Sequence, residues 1–246
     1  MLPLFCLEGI CMSVTTQFLE GSKNPLNMFG VIKHDREFRR AHPEYFDPEG
    51  LLIFCGEQGS GKTLSAVQYV KKLCEAYPLA ILCTNVAIEG LPDSTEVIEY
   101  NGLDCLKSLE NGYAGVIYLI DEIHLEFNSL ESKNIDIEVM IEVSQQRKQR
   151  KHIVGTTQVY GRLAKPFREQ IRNVVLCSNF FKVFQFNRLI DGSKSHEENG
   201  KLITDTCRSF LWVHSPALYD CYDTYAKMKR YRNEWQGRRI NNERRD

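Results

Sequence analysis

The sequence lacks an uninterrupted run of about 18 apolar residues, so it predicts no membrane-spanning helix. Its first twelve residues are largely apolar, but Glu8 interrupts them and no Lys or Arg precedes Lys23. A secretory signal peptide needs a basic start and a longer apolar run, so none is predicted. The same residues equally fit a short segment ahead of a start at Met12.

The sequence also lacks a Cys-x-x-Cys pair, which leaves little support for a zinc site. Nine cysteines are present, and Cys55, Cys83 and Cys177 lie inside apolar runs. Free cysteine packs as a small core residue in such runs. The pattern therefore predicts free thiols and a reducing, cytosolic compartment.

The sequence also lacks an excess of positive or negative charge. The chain has 31 Lys and Arg residues against 32 Asp and Glu, which gives a net charge of −1. The molecule as a whole is therefore not a polyanion binder, and any nucleic-acid surface has to be local. Its 246 residues, 43% of them hydrophobic, suffice for one α/β domain with an extension.

Short apolar runs alternate with segments of helical periodicity from residue 51 onward. Such alternation implies right-handed crossovers, and it predicts an α/β fold whose mainly parallel sheet carries helices on both faces. The predicted strands are 51–55, 80–84, 115–120, 152–156 and 174–177, and the predicted helices are 63–77, 103–109, 135–150 and 166–172.

The pattern changes near Phe180. Segments 180–190 and 202–214 are rich in β-forming residues, and the polar segment 191–200 lies between them, which predicts a β-hairpin with a loose tip. A highly charged tail follows from residue 226. The predicted divisions are an N-terminal extension (1–48), a central α/β domain (49–190), and a C-terminal hairpin with its charged tail (191–246).

A glycine-rich segment joins the first predicted strand to the first predicted helix. Gly56–Thr63 satisfies the pattern G-x-x-x-x-G-K-S/T of a phosphate-binding loop. Glycines let backbone N–H groups surround a phosphate, and the following helix directs its positive end at the anion. Lys62 can reach the β- and γ-phosphates, and the Thr63 hydroxyl can hold Mg²⁺. The predicted nucleotide-binding residues are Gly56, Glu57, Gln58, Gly59, Ser60, Gly61, Lys62, Thr63 and Leu64, with Lys62 also catalytic.

An acidic pair follows the third predicted strand. Asp121 is predicted to hold Mg²⁺ through water, and Glu122 to act as the general base that polarises an attacking water. Gln158, at the end of the next strand, is the candidate sensor of the γ-phosphate, although it could equally be an ordinary strand-end amide. A base beside the metal ligand favours hydrolysis, so the sequence predicts a Mg²⁺-dependent ATPase with ATP and Mg²⁺ as ligands.

Together these residues resemble the FtsK–HerA branch of P-loop NTPases, and within it the zonular occludens toxin-like proteins, the assembly ATPases of filamentous phages. The resemblance covers roughly residues 45–185. It implies an ATP-hydrolysing motor of a phage or mobile element, acting in virion assembly, DNA packaging or extrusion. The segments that carry it are Gly56–Thr63, Ile120–Glu122 and Arg150–Gln158, with Pro166 and Ile171–Asn173 following.

The resemblance also implies partners. It implies a homo-oligomer, expected to be a hexameric ring, in which a neighbour supplies an arginine to the γ-phosphate. Arg168 and Arg172 rank ahead of Arg162 for this role, because they fall on a predicted helix that leads into a strand. Phage DNA or virion proteins are the implied cargo, in the host cytoplasm. A membrane partner and a peripheral place on the inner face of the cell membrane stay open.

Basic residues cluster at the end of the predicted helix 135–150. Arg147, Lys148, Arg150 and Lys151 are candidate DNA contacts, and the alternative is a helix end that favours cations through its dipole. A second basic cluster lies in the tail between residues 227 and 245. Tyr219, Tyr222 and Tyr225 recur every three residues, which favours a packing stripe over a base-stacking platform.

Two other functions remain open from the sequence. A P-loop nucleotide kinase or NTP-dependent switch would use the arginines of segment 162–172 as a lid over the phosphates. A non-enzymatic scaffold with a retained nucleotide fold is the other, but the intact Lys62, Thr63, Asp121 and Glu122 argue against it.

Overall fold

The computed structural model describes residues 50–130, 135–192, 196–198, 201–203 and 206–222, together with positions 30, 33, 34, 37, 38, 41, 42 and 45–47. The chain divides into two units, Met1–Pro43 and Glu44–Asp246. In the first unit the described positions from 30 to 41 are helical, and the His42 amide donates to the Phe38 carbonyl at 2.9 Å. The predicted divisions at residues 48 and 190 stay predictions.

Six strands of the second unit form a parallel sheet. They are β1 (Leu51–Cys55), β2 (Ile81–Thr84), β3 (Val97–Glu99), β4 (Val116–Ile120), β5 (Lys151–Thr157) and β6 (Ile171–Phe180). Their order across the sheet is β6-β1-β5-β4-β2-β3, and every neighbouring pair runs parallel. Strand β5 therefore separates β1 from β4.

Both faces of this sheet are buried. Along β1, Leu51 and Ile53 pack into one apolar cluster, and Leu52 and Phe54 pack into the other. Burial on both faces explains why β1 and β4 are continuous apolar runs. The predicted α/β class with a mainly parallel sheet is confirmed. Helix α1 (Lys62–Ala76) covers the second cluster, and α2 (Asp104–Ser108), α3 (Ile137–Gln145) and α4 (Lys165–Arg168) cover the first.

Several predicted boundaries are wrong. The predicted helix 135–150 ends at Gln145, because the residues after it form turns that close at Arg150, with a φ of 56°. The predicted helix 166–172 ends at Arg168, since Ile171 already pairs with Leu51 at the start of β6. Strand β3 escaped prediction because its residues alternate between exposed and half-buried, without an apolar run. Within the described chain, no helix has the length and apolar character to cross a membrane.

The predicted C-terminal hairpin is confirmed, and it extends the same sheet. Strand β7 (Phe184–Asp191) pairs antiparallel with β6 on one side and with β10 (Thr206–Val213) on the other. Between these two strands, β8 (His196–Glu198) and β9 (Lys201–Ile203) form a small second hairpin. Residues 193–195, 199 and 200 of the predicted loose tip lie outside the described residues. A further short helix, α5 (Pro216–Asp220), follows β10.

The first two residues of β5 are polar and buried. Lys151 is 2% exposed; its Nζ donates to the Leu106 carbonyl at 2.7 Å and pairs with Glu142 Oε2 at 2.9 Å. His152 is equally buried, with Nε2 3.0 Å from the Tyr69 hydroxyl. Burial lowers the pKa of His152 to about 4, although a backbone hydrogen bond with Gly50 partly opposes the shift.

We expect the buried His152 to make stability fall in acid. Its pKa is about 4 when folded, against an ordinary 6.5, so the unfolded state binds the proton more tightly. The stability is fully present above pH 6.5 and is lost as the pH falls toward 4, by up to about 1.4 kcal/mol per pH unit. Urea unfolding across this range should therefore show a flatter pH profile for His152→Gln than for the wild type.

The exposed His42 provides the matched control, since His42→Gln should keep the wild-type slope. Only slopes are compared, so a uniform loss of stability in either variant does not matter. Equal slopes for His152→Gln and the wild type would contradict the prediction.

Candidate functional site

The glycine-rich segment forms a tight loop between β1 and α1. The Ser60 amide donates to the Glu57 carbonyl at 3.1 Å, and Lys62 Nζ donates to the same carbonyl at 2.9 Å. Lys62 is only 7% exposed. The loop is therefore compact, and the Lys62 side chain is hydrogen-bonded to its backbone.

Gly61, at the end of this loop, meets the C-terminal hairpin. Its φ is 80°, and a Cβ there would lie 2.1 Å from Gln185 Oε1. Gln185 on β7 is fully buried, and its Nε2 donates to the Ser60 carbonyl and to Asn187 Oδ1, both at 2.9 Å. Asn187 Nδ2 donates in turn to Ser65 Oγ on α1, at 3.1 Å. The hairpin therefore supports the loop from behind.

Sequence reasoning missed Gln185 and Asn187. The signal was present in the order Phe-Gln-Phe-Asn at the start of β7, where strand alternation puts the two polar residues on one face. That face is the buried one, with Gln185 at 0% and Asn187 at 7% exposure, whereas Phe184 is 42% exposed. Polar residues on the inward face of a strand indicate a buried network.

Asp121 connects the end of β4 to the loop. Its Oδ1 accepts hydrogen bonds from Thr63 Oγ1, at 3.0 Å, and from Thr156 Oγ1 on β5. Its backbone is held by Asn85, whose Nδ2 donates to the Asp121 carbonyl at 3.0 Å and whose Oδ1 accepts from the Asp121 amide at 2.8 Å. Asn85, which follows β2, is a further site residue that the sequence did not reveal.

Glu122 lies beside Asp121 in an unusual backbone conformation. Its φ of 55° lies in the left-handed region, and its amide donates to Thr156 Oγ1 at 2.9 Å. One carboxylate oxygen accepts from Gln158 Nε2 at 3.3 Å, and the other lies 3.2 Å from His124 Nδ1. Left-handed residues other than glycine commonly mark sites where the structure aims a functional side chain. The structure thus brings together Glu122 and Gln158.

A cleft of about 640 Å³ lies between the loop, the acidic pair and the C-terminal segment. Gly56, Glu57 and Ser60, although predicted to bind nucleotide, do not line it. Tyr219 does, and the residue is 46% exposed, so it is not buried in the predicted packing stripe. Tyr225 lies outside the described residues. The wall consists of Gln58, Gly59, Gly61, Lys62, Thr63, Leu64, Asp121, Glu122, Gln158, Asn179, Lys182, His214, Tyr219 and Tyr222.

Oxygen atoms suited to Mg²⁺ meet in this cleft. Thr63 Oγ1 and Asp121 Oδ1 lie 3.0 Å apart, and hydroxyl and carboxylate oxygens are ligands that Mg²⁺ prefers. Within the described chain, no group of three or more His, Cys, Asp or Glu residues could hold a metal ion. Because Mg²⁺ takes its other ligands from phosphates and water, this donor set fits a metal that binds with a nucleotide.

None of the three candidate arginine fingers lines the cleft of its own chain. Arg162 is exposed at the end of a 3₁₀ turn, Tyr160–Arg162. Arg168, at the end of α4, is half-buried, with its guanidinium 5.9 Å from the Tyr160 ring centroid. Arg172 is exposed on β6, so its predicted place on a helix is wrong.

The candidate DNA patch is smaller than the sequence suggested. Arg147 and Lys148 are exposed. Arg150 instead lies over the Tyr45 ring, 3.4 Å from its centroid, and donates to the Phe46 carbonyl. Lys151 is buried in its pair with Glu142, so its predicted contact with DNA is wrong. The second cluster, between residues 227 and 245, lies outside the described residues.

The fold and the site together define a class of protein. A phosphate-binding loop between β1 and α1, with an acidic pair at the end of β4, two strands from β1 across the sheet, is the arrangement of P-loop NTPases. No protein-family model and no curated protein matches the sequence. The chain is similar to the N-terminal domain of zonular occludens toxin from Neisseria meningitidis, with a TM-score of 0.50 and 15% identity over 71% of this chain and 98% of that one. The chain has the P-loop NTPase fold, and the predicted resemblance is confirmed at the level of the fold.

Two further solved structures are similar at lower TM-scores. The genome packaging NTPase B204 from Sulfolobus turreted icosahedral virus 2, in complex with ATP-gammaS, has a TM-score of 0.45 and 12% identity over 69% of this chain and 98% of that one. The flagellar accessory protein FlaH from Methanocaldococcus jannaschii has a TM-score of 0.42 and 11% identity, over 69% and 91% of the two chains.

The contact between Gly61 and Gln185 predicts that a side chain at position 61 greatly lowers the free energy of unfolding. Gly61→Ala forces a left-handed residue and a clash with a fully buried amide, so we expect it to lower the free energy of unfolding by about 3 kcal/mol. Gly59→Ala is the matched control, because Gly59 also has a positive φ, of 78°, but no atom within 4 Å of its Cβ position. That variant should cost only the backbone strain, about 1 kcal/mol. Urea unfolding measures both, and equal costs would rule out the clash.

Proposed function

We propose that this chain is a Mg²⁺-dependent ATPase. The observation that carries the proposal is the position of Glu122, whose carboxylate lies beside Asp121 and 3.3 Å from Gln158, in the wall of the cleft that also contains Lys62. A carboxylate in this position can accept a proton from an attacking water. A protein that only binds a nucleotide has no need of such a base.

The other residues of the cleft have distinct proposed roles. The loop amides and Lys62 hold the β- and γ-phosphates, assisted by the positive N-terminal end of α1. Thr63 and Asp121 would hold Mg²⁺, which would supply positive charge beside the phosphates. Gln158, hydrogen-bonded to Glu122, orients the water or senses the γ-phosphate. All of these groups lie at the carboxyl ends of parallel strands, where α/β sheets commonly bind ligands.

Hydrolysis is favoured over phosphoryl transfer to a second substrate. A kinase would need the arginines of segment 162–172 to close as a lid over the phosphates. Leu163, Ala164 and Phe167 in that segment are fully buried, which fixes it to the core. A segment anchored in this way cannot swing over the cleft without exposing its apolar side chains. We therefore do not retain the kinase as a candidate function.

We further propose that hydrolysis drives a motor of a phage or mobile element, in virion assembly, DNA packaging or extrusion. Its support is the motif set shared with the zonular occludens toxin-like ATPases, together with the common fold. On this proposal the chain forms a homo-oligomeric ring, expected to be a hexamer. It acts on phage DNA or virion proteins in the host cytoplasm, and a membrane partner would lie at the inner face of the cell membrane.

A neighbour in such a ring would supply an arginine to the γ-phosphate. A residue that acts across a subunit interface has to be exposed, and Arg162 and Arg172 are exposed whereas Arg168 is half-buried. Arg162 and Arg172 are therefore the stronger candidates. Arg147 and Lys148 remain the candidates for a phosphate contact with DNA, since both are exposed.

Replacing the proposed base should separate binding from turnover. Glu122→Gln removes the proton acceptor but keeps the side-chain shape, so the rate of ATP hydrolysis should fall by about 100-fold or more while ATP affinity stays within about threefold. Lys62→Ala should lose ATP affinity instead, because it removes the ammonium proposed to hold the phosphates. Phosphate release and equilibrium binding measure the two effects.

Glu169→Gln is the matched control, because Glu169 is exposed and outside the cleft, and it should hydrolyse ATP like the wild type. Full activity of Glu122→Gln would exclude this residue as the base. Tight ATP binding by Lys62→Ala would exclude the proposed phosphate site.

The motor proposal has its own test. Light scattering should show a larger particle with ATP and Mg²⁺ than without them, and DNA or a virion protein should raise the hydrolysis rate. A particle that stays monomeric with ATP and DNA present would exclude the ring, even if the chain hydrolyses ATP.

A further inference from the structure

The residues that form one wall of the cleft have no role in the proposed binding of phosphates and Mg²⁺. The wall consists of Asn179 and Lys182 around the β6–β7 turn, with His214, Tyr219 and Tyr222 after β10. We propose that this wall is the nucleobase subsite, and that the ring of Tyr219 stacks on the base. The inference rests on the proposed nucleotide binding and extends it to the part of the ligand that the loop cannot hold.

The Tyr219 ring is fixed in place while part of its surface stays open. Its hydroxyl donates to the Lys182 carbonyl at 3.0 Å and contacts His214 Nδ1. The His214 ring lies edge-on to it, with the centroids 5.5 Å apart. Tyr219 nevertheless remains 46% exposed and lines the cleft. A tethered aromatic ring in a cleft suits a planar base, because stacking then orders few additional torsions.

The segment that carries Tyr219 is held against the core. Leu218 and Cys221, on either side of it, are 8% and 5% exposed within the apolar cluster that α1 covers. The Glu89 amide donates to the Cys221 carbonyl at 2.7 Å, and Tyr222 forms a β-bridge with Ile88. The segment that carries Tyr219 is therefore part of the packed domain, and this packing fixes the position of Tyr219 in the wall of the cleft.

Hydrogen bonds connect this wall to the phosphate-binding loop. His214 Nε2 lies 3.1 Å from Gln185 Oε1, and Gln185 Nε2 donates to the Ser60 carbonyl at 2.9 Å. Ser60 belongs to the loop, and Tyr219 is tied to His214. Because one chain of polar contacts joins the two ends of the cleft, a base on Tyr219 and phosphates on the loop can be held in a fixed relation to each other.

The β6–β7 turn has a backbone conformation that its residues seldom adopt. Phe181 and Lys182 both have φ of 56°, although neither is a glycine or an asparagine, the residues that adopt this conformation most readily. The turn places Lys182 in the cleft, and Tyr219 holds its carbonyl. The added cation suits an anionic ligand such as a nucleotide. The cleft volume of about 640 Å³ also falls within the range of small-molecule sites.

Stacking is tolerant of base identity, because every base has a π-face, so this subsite selects nucleotides over bare phosphates rather than one base over another. The test compares ADP with inorganic pyrophosphate, both with Mg²⁺, by calorimetric titration of the full chain. Tyr219→Ala should weaken ADP binding by roughly 10- to 100-fold and leave pyrophosphate binding within about twofold. Tyr219→Phe, which keeps the ring, should retain most of the ADP affinity.

Tyr113→Ala is the matched control, because Tyr113 is 68% exposed and lies outside the cleft wall, and it should change neither affinity. An equal loss for ADP and pyrophosphate in Tyr219→Ala, or a loss for neither, overturns the proposed subsite. Wild-type protein that binds pyrophosphate as tightly as ADP also overturns the subsite but leaves the phosphate site standing. Wild-type protein that binds neither ligand contradicts the proposed ATPase itself.

Discussion

The hydrogen bond between Asp121 and Thr63 joins the residue after β4 to the start of α1, which follows β1, although β1 and β4 are not neighbours in the sheet. It can form because β5 lies between β1 and β4, in a register that aligns Cys55 with Thr157 and Ile120 with Gly155. Thr156 then reaches both the Asp121 carboxylate and the Glu122 amide. The relative positions of Thr63, Asp121 and Glu122 therefore depend on this three-strand arrangement.

The C-terminal hairpin contributes to the candidate site. It is the outer, antiparallel part of the main sheet, and its buried amides support the phosphate-binding loop at Gly61 through Gln185. Burial of amide groups is tolerated only when their hydrogen bonds are satisfied, and the bonds from Gln185 to Ser60 and Asn187 do so. The segment after the hairpin then completes the cleft with His214 and Tyr219.

The sequence correctly predicted the features that depend on residues close together in the chain. The glycine spacing of residues 56–63, the apolar run that ends at Asp121, and the polar end of β5 at Gln158 each lie within a few residues of the strand that positions them. By comparison, clustered basic residues in the sequence predicted a DNA-binding surface poorly. Lys151 and Arg150 belong to a basic cluster in the sequence, yet the first is buried against Leu106 and Glu142 and the second packs on Tyr45.

The sequence by itself determined the α/β class, the phosphate-binding loop and the acidic pair, because strand runs and glycine spacing are set by short-range backbone geometry. Only the tertiary structure decided which polar residues complete the site. Gln185 lies 125 positions from Ser60, and Asn85 lies 36 positions from Asp121, so no spacing rule connects them. Their roles follow from strand order and from burial, which exist only once the sheet has formed.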